Sequence, residues 1–113
     1  MWNFSIPYRL KQYFDILIQP GQTFTVSADG QYEGLVKNRP VVVVYARGGT
    51  YPEGSPMAAY DFQKPYVELV LGFMGLTDIQ SILVEPTLAE GPEAAQKGKT
   101  KALAKAAELA KRF

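Results

Sequence analysis

The 113-residue sequence contains no histidine and no cysteine. These absences exclude zinc sites of the usual Cys/His kind, Ser-His and Cys-His nucleophile pairs, disulfide scaffolds and thiol redox motifs, and we predict no metal site. No apolar run approaches the ~20 residues that span a bilayer. The first residues, Met1–Ser5, lack the basic and apolar regions of a secretory signal. The sequence therefore predicts a cytoplasmic protein without a membrane segment.

The sequence also has no large excess of positive or of negative charge. Twelve basic and eleven acidic residues leave a formal net charge of +1, so we expect binding to neither nucleic acid nor an anionic membrane. Six of the basic residues lie at or beyond Lys97, opposite a stripe of alanines, and we interpret them as the solvated face of a helix. The length and the 47% hydrophobic content fit one small globular domain.

Helical and β-type periodicity alternate along the chain. Ser5 is expected to cap a first helix that begins at Ile6 and ends at Pro20-Gly21. Two short β-prone runs then flank Asp29-Gly30 and predict a hairpin with a connection longer than two residues. The expected buried face of the first helix consists of Ile6, Leu10, Tyr13, Phe14 and Leu17.

Four consecutive valines, residues 41–44, predict a strand that is apolar on both faces and covered on both sides. A second helix follows, capped by Asp61 and ended by Gly75, and residues 79–84 form a second strand. Gly91-Pro92 opens the last helix. Its expected buried side consists of Ala95, Leu103, Ala106, Ala110 and Phe113.

The predicted order is helix, hairpin, strand, helix, strand, helix, which is typical of an α/β fold with a parallel sheet. Two buried strands do not make a stable sheet alone, and both would present an open edge. The sequence therefore predicts the second half of a larger α/β domain, and we expect self-association to complete the sheet.

Four stretches carry a resemblance to a known family. They are Met1-Trp2-Asn3-Phe4-Ser5-Ile6-Pro7, Tyr45-Ala46-Arg47-Gly48-Gly49, Leu71-Gly72-Phe73-Met74-Gly75, and Glu85-Pro86-Thr87 leading to Gly91-Pro92-Glu93. The sequence resembles the FMN-dependent NADH-azoreductases, in the wider flavodoxin-like group with the quinone reductases. The resemblance covers essentially residues 1–113 and implies the C-terminal half of a flavodoxin-like, three-layer FMN-binding domain. The family's serine-rich phosphate loop belongs to the other half.

The resemblance also implies a cofactor site. Met1, Trp2, Asn3 and Phe4, together with Ala46, Arg47, Gly48 and Gly49, match the segments that hold the isoalloxazine ring of FMN in the family. Backbone amides and the Asn3 amide suit the ring's nitrogens and carbonyls, and glycine lets the backbone approach closely.

Each of these segments has a plainer interpretation. Residues 1–4 are otherwise a disordered terminus that packs one aromatic ring, and Gly48-Gly49 is otherwise an ordinary turn after a strand. Arg47 either favours negative charge near a reduced flavin or forms a surface ion pair.

Phe24 and Phe73 resemble the aromatic walls of the family's substrate site, which are contributed across a dimer interface. Phe73 has an equally good interpretation as a core residue of its helix. No two carboxylates are paired by their spacing, and the hydride chemistry belongs to the cofactor, so we assign no catalytic residue.

The resemblance implies an FMN-dependent NAD(P)H oxidoreductase that transfers two electrons to quinones or azo compounds and works as a homodimer. Without the phosphate loop, we expect this activity to be impaired. One alternative is a non-enzymatic truncated flavodoxin-like product that self-associates without cofactor, and another is a small α/β binding module. The sequence leaves the natural electron acceptor and the choice between NADH and NADPH open.

Overall fold

Three helices and two two-stranded sheets make up the computed structural model, which describes all residues from Met1 to Phe113. The elements follow in the predicted order. They are α1 (Tyr8–Leu17), β1 (Phe24–Val26), β2 (Tyr32–Gly34), β3 (Val41–Ala46), a short 3₁₀ helix (Pro56–Tyr60), α2 (Lys64–Phe73), β4 (Ile79–Val84) and α3 (Gly91–Ala110). None of the helices combines the length and the apolar character that crossing a membrane requires.

The chain divides into two compact units. The strand unit contains Met1, Val42–Tyr60 and Ser81–Phe113, and the hairpin unit contains Trp2–Val41 and Asp61–Gln80. The strand unit thus carries most of the β3–β4 sheet together with α3. The hairpin unit carries α1, the β1–β2 sheet and α2.

β3 and β4 pair with each other, and each has a second edge without a strand beside it. Hydrogen bonds run from the Val41 N–H to the Asp78 carbonyl and from the Arg47 N–H to the Val84 carbonyl. Both partners advance in the same direction, so the two strands are parallel. Val42 is 38% and Val44 60% exposed. The prediction of a strand covered on both sides is therefore wrong for this chain, because nothing covers the face that carries these two valines.

The core of the strand unit forms where α3 packs on β4. Ile82, Ala102 and Leu109 are buried there, with Val84 and Ala106 packed against them. The predicted face of α3 is wrong in part, since Leu103, Ala110 and Phe113 are exposed. A close backbone approach decides the rotation of the helix: a Cβ at Gly98 would overlap the carbonyl oxygen of Glu85. A small residue therefore faces the strand end, and the larger Leu103 points elsewhere.

The predicted hairpin is confirmed, with β1 antiparallel to β2 and Phe24 opposite Gly34. Five residues connect the strands. The Ser27 N–H donates to the Gln31 carbonyl, and the Ser27 hydroxyl donates to Asp29 at 2.5 Å. Gly30 has φ +81°, a left-handed conformation that favours glycine.

α1 begins two residues later than expected. Pro7 rather than Ser5 is its N-cap, and the Ser5 hydroxyl instead donates to the Phe62 carbonyl at 3.4 Å. Proline suits a helix start because it has no N–H and a fixed φ. Phe14 is buried as predicted, but Tyr13 is 56% exposed.

Both predicted capping residues bond the ends of α2, although its N-cap position is Gln63 and its C-cap position is Met74. The Asp61 carboxylate accepts hydrogen bonds from the Gln63 and Lys64 N–H groups, each at 3.1 Å. At the other end Gly75 has φ +104° and donates to the Gly72 carbonyl, while the Leu76 N–H donates to the Leu71 carbonyl. This pair of bonds is the Schellman motif, which explains the glycine.

Candidate functional site

Two loops meet at the carboxyl ends of β3 and β4. The Arg47 carbonyl accepts hydrogen bonds from both the N–H and the hydroxyl of Thr87, each at 2.9 Å. The Gly48 carbonyl accepts from the Leu88 N–H at 3.1 Å and the Ala89 N–H at 2.8 Å. These four bonds tie the loop after β3 to the loop after β4. In open α/β folds, ligands bind outside this edge of the sheet.

The hydrogen bonds between the two loops do not use the backbone N–H groups of Gly48 and Gly49. Both carbonyls before Gly49 are bonded, but the N–H groups of Gly48 and Gly49 donate to no acceptor of the chain. A Cβ at Gly49 would meet no atom within 4 Å, and one at Gly48 would meet only the Leu88 Cβ at 3.9 Å. The pair therefore has two adjacent backbone donors that bond no acceptor of the chain, and no close neighbour beside either Cα.

The side chain of Arg47 is buried rather than displayed, with 2% of the residue exposed. Its Nε lies 3.6 Å from a carboxylate oxygen of Glu85. Its guanidinium carbon lies over the rings of Tyr45 and Tyr51, 5.5 Å and 5.4 Å from their centroids. The ion pair expected on the surface is therefore an internal one.

Residues 2–5 form an ordered turn, so the interpretation of a disordered terminus is wrong for them. The N–H groups of Trp2 and Ser5 each donate to the other's carbonyl at 2.9 Å. Asn3 and Phe4 have φ +43° and +67°. Two consecutive left-handed residues define a type I′ turn, and non-glycine residues adopt this conformation at a cost of about 1–3 kcal/mol each. Such strain concentrates at binding sites.

The predicted ring-contacting residues belong to different units. Met1 and residues 46–49 lie in the strand unit, where the Met1 nitrogen donates to the Ala46 carbonyl at 2.8 Å. Trp2, Asn3 and Phe4 lie in the hairpin unit, and all three are exposed. The Asn3 side-chain amide makes no hydrogen bond within the chain.

Phe24 and Phe73 contact each other, with ring centroids 4.8 Å apart. Tyr32, which the sequence interpretation missed, completes the cluster at 5.4 Å from Phe73 and 6.0 Å from Phe24. The hairpin register was the signal that would have found it. Phe24 lies opposite Gly34, so Tyr32, two residues before Gly34, lies on the same face of the strand pair.

Glu33, Asp61, Glu68 and Glu85 each have a partner of their own. Glu33 pairs with Lys37, Glu68 with Lys64, Glu85 with Arg47, and Asp61 caps α2. No group of three or more acidic residues is placed to hold a metal ion. The chemistry that the strand-end loops offer is therefore recognition by backbone amides.

A family model described as a flavodoxin-like fold matches residues 1–110. The chain belongs to this family, and its α/β architecture is the predicted partial flavodoxin-like fold.

The resemblance to the azoreductases and quinone reductases is also confirmed. The chain is 58% identical over all 113 residues to an FMN-dependent NADH:quinone oxidoreductase of Nitratidesulfovibrio vulgaris (strain DP4), of which it covers 54%. It is 48% identical over 98 residues, 86% of its length, to one of Nostoc sp. (strain PCC 7120), of which it covers 46%.

Two solved structures from Bacillus anthracis are similar. An azoreductase from strain Sterne has a TM-score of 0.88 and 34% identity, over 99% of this chain and 52% of its own. An FMN-dependent NADH-azoreductase from strain Ames Ancestor, solved in complex with FMN, has a TM-score of 0.81 and 28% identity, over 96% and 52%. The chain thus spans about half the length of the relatives it matches.

Proposed function

We propose that this chain forms the ring-binding part of an FMN-dependent NAD(P)H oxidoreductase. The enzyme would transfer two electrons from NADH or NADPH to quinones or azo compounds. The observation that carries this proposal is the pair of unbonded amides at Gly48 and Gly49, at the strand edge where flavodoxin-like proteins bind ligands. The flavin, when bound, supplies the hydride chemistry.

The residues present fit the edge of an isoalloxazine ring. Gly48 and Gly49 offer two adjacent donors, and Ala46 and Met1 belong to the same strand-end network. In the hairpin unit, the Asn3 side-chain amide makes no hydrogen bond within the chain, and its strained turn is closed by the hydrogen bonds between Trp2 and Ser5. We assign the buried Arg47 side chain no contact with the ring, because it packs on Tyr45 and Tyr51 and pairs with Glu85.

The residues present do not fit the phosphate of FMN. A phosphate cradle needs several free N–H groups at a helix N-terminus. The first N–H groups of α2 donate to Asp61, and the first turn of α3 carries Glu93, whose charge repels an anion. α1 follows Pro7, which has no N–H. We therefore expect this chain alone to bind the ring weakly and the phosphate not at all.

We also propose that the enzyme is a homodimer and that an aromatic cluster of this chain forms walls of its substrate site. Phe24, Tyr32 and Phe73 form an aromatic cluster suited to a planar quinone or azo compound. The lack of a phosphate cradle and the exposed Val44 favour a second candidate, a non-enzymatic product that self-associates without cofactor.

A titration of the full chain with riboflavin and with FMN, followed by ¹H–¹⁵N NMR, tests the proposal. Both ligands share the ring, and only FMN carries the phosphate. We expect both to shift the Gly48 and Gly49 amide signals with similar dissociation constants, in the millimolar range that ring contacts alone allow. A dissociation constant for FMN tenfold below that for riboflavin would show a phosphate site and contradict the assignment above.

Gly49→Ala is the matched variant, because its methyl group meets no atom of the chain and the φ of Gly49 is not left-handed. Crowding the amides should raise the riboflavin dissociation constant about tenfold, the cost of one or two hydrogen bonds. Gly72→Ala in α2, also without close neighbours, is the control. Equal ring affinity in both variants, or no riboflavin binding by the wild-type chain, would remove the support for the proposal.

A further inference from the structure

The side-chain cluster around Arg47 encloses the glycine pair. Arg47 immediately precedes Gly48, and Tyr51 comes two residues after Gly49. Because the guanidinium carbon lies 5.4 Å from the Tyr51 ring centroid, residues 47–51 close on themselves. Glycine loses more backbone freedom on ordering than any other residue. A contact that joins the two ends of this segment therefore restricts the part of the chain that would otherwise be most mobile.

The strand ends anchor this contact. The Arg47 guanidinium lies over the ring of Tyr45, the buried penultimate residue of β3, and its Nε faces Glu85, the residue after β4. Arginine suits this position because its planar group stacks on aromatic rings and keeps its charge when buried opposite a carboxylate. The cluster thus holds the loop against the ends of two strands.

We propose that Arg47 is a positioning residue that holds Gly48 and Gly49 in one backbone conformation. Their two N–H groups then stand as a rigid donor pair, and a ligand need not order them on binding. We call the contacts of Arg47 with Tyr45, Tyr51 and Glu85 the clamp. The identification of the ligand as a flavin ring rests on the proposed function, whereas the clamp does not. Arg47 acts through the glycines and touches no reacting atom.

Tyr51→Leu tests the clamp, because it removes the ring and leaves the Arg47–Glu85 pair in place. Tyr51→Phe keeps the ring and should behave as wild type. Tyr8→Leu is the control on another element, since it removes an exposed contact of the same kind, between Arg9 and the Tyr8 ring at 5.8 Å, on α1.

We expect ¹⁵N relaxation to show order parameters of about 0.85 at Gly48 and Gly49 in the wild-type chain and below about 0.6 in Tyr51→Leu. The riboflavin dissociation constant should rise about tenfold in the same variant. The N–H groups of Leu88 and Ala89, which donate to the Gly48 carbonyl, should exchange faster. Tyr51→Phe and Tyr8→Leu should leave all three measurements unchanged.

Unchanged glycine order parameters in Tyr51→Leu would overturn the proposal, and so would an equal loss of order in Tyr8→Leu. If Tyr51→Leu also speeds exchange of the buried Leu109 amide, the substitution has loosened the core as well as the loop. Arg47→Lys is then the second test, because it keeps the charge opposite Glu85 but loses the planar stacking group. Lower order parameters at Gly48 and Gly49 in Arg47→Lys would support the proposal, and unchanged ones would overturn it. Wild-type chain that binds no riboflavin would contradict the proposed function, while the order parameters would still decide the clamp.

Discussion

Glycines in this chain meet different surroundings, and the same substitution should have opposite effects at two of them. Gly98 lies in α3 against the Glu85 carbonyl, whereas a Cβ at Gly72 in α2 would meet no atom within 4 Å. In α3 the added methyl group would force the helix away from the end of β4. In α2 it would only reduce the freedom of the unfolded chain.

We therefore predict that Gly98→Ala lowers the free energy of unfolding by about 1–3 kcal/mol, the usual cost of overpacking. Gly72→Ala should raise it by about 0.5–1 kcal/mol, the helix-propensity difference between the two residues. Urea unfolding of both variants and the wild-type chain measures the difference. Equal stability of the two variants would contradict the close approach of α3 to Glu85.

Asp29 carries a residue-scale prediction about pH. The hydrogen bond from the Ser27 hydroxyl, with a smaller contribution from its own backbone N–H, lowers the pKa of Asp29 below its ordinary value of 3.8. A lowered pKa in the folded state means that the ionised form stabilises the hairpin above pH 3.8 and that this stabilisation is lost as the pH falls through the lowered pKa.

Ser27→Ala should move the titration midpoint of Asp29 upward, towards 3.8, in a ¹³C NMR titration of the carboxyl carbons. Glu33 is the internal control, because the hydrogen bond and the charge of Lys37 lower its pKa independently of Ser27. An unchanged Asp29 midpoint would mean that the hydroxyl contact does not persist in solution.

At the scale of elements, the hairpin and β3 differ in how much of each is buried. β1 and β2 pair over three residues each, and Val26, Tyr32 and Glu33 are exposed. β3 is six residues long and contains the buried Tyr45. Short, exposed elements open locally at a lower free energy than longer, buried ones.

We predict that the hairpin, residues 24–34, is the most dynamic ordered segment of the chain. Its N–H groups should exchange with deuterium faster than those of residues 41–45, as measured by native-state hydrogen exchange at neutral pH. The contacts of Phe24 and Tyr32 with Phe73 oppose this opening. Exchange in the hairpin as slow as in β3 would show that the aromatic cluster outweighs the shortness of the strands.

At the scale of the whole molecule, the open face and edge of β3 lead us to predict self-association. Val42 and Val44 lie on the same face of an exposed strand, and surfaces of this kind normally pair. Light scattering should give a mass above 12.5 kDa, the mass of one chain. A monodisperse monomer with a cooperative melt would contradict this.

Val44→Lys tests the surface responsible, because a charge on the open face disfavours pairing while Val44 already faces solvent. The variant should have a lower mass than the wild-type chain. Leu103→Lys is the matched control, since Leu103 is equally exposed, at 60%, but lies on α3. A loss of mass in both variants would locate the contact elsewhere.

The second whole-molecule prediction concerns activity. The chain alone should reduce quinones or azo compounds with NADH very weakly or not at all, because charge-assisted hydrogen bonds to a phosphate contribute ~1.5–3 kcal/mol each. Losing two or three of them weakens FMN binding by several powers of ten. An NADH–menadione assay with and without excess FMN measures this.

Co-expression with the N-terminal half of an azoreductase is the complementation test. Restored flavin absorbance near 450 nm and restored turnover would show that the added half supplies the phosphate cradle. Yellow, active protein from the 113-residue chain by itself would show instead that these residues build a phosphate site of their own.

The hydrophobic periodicity of the sequence, together with its capping and turn residues, determined the order of elements and most of their ends. The hairpin, the cap at Asp61, the Schellman glycine Gly75 and the start of α3 at Gly91-Pro92 were all predictable, because each depends on neighbours within a few residues. The resemblance identified the family from short motifs for the same reason.

Only the tertiary structure decided which faces are buried and which groups of the site are available. The rotation of α3 depends on Gly98 meeting a backbone carbonyl of a distant residue, and the burial of Arg47 depends on Tyr45, Tyr51 and Glu85 converging on it. Tyr32 joined the aromatic cluster through the register of a strand pair. Contacts between residues far apart in sequence leave no local pattern, so spacing alone predicted none of them.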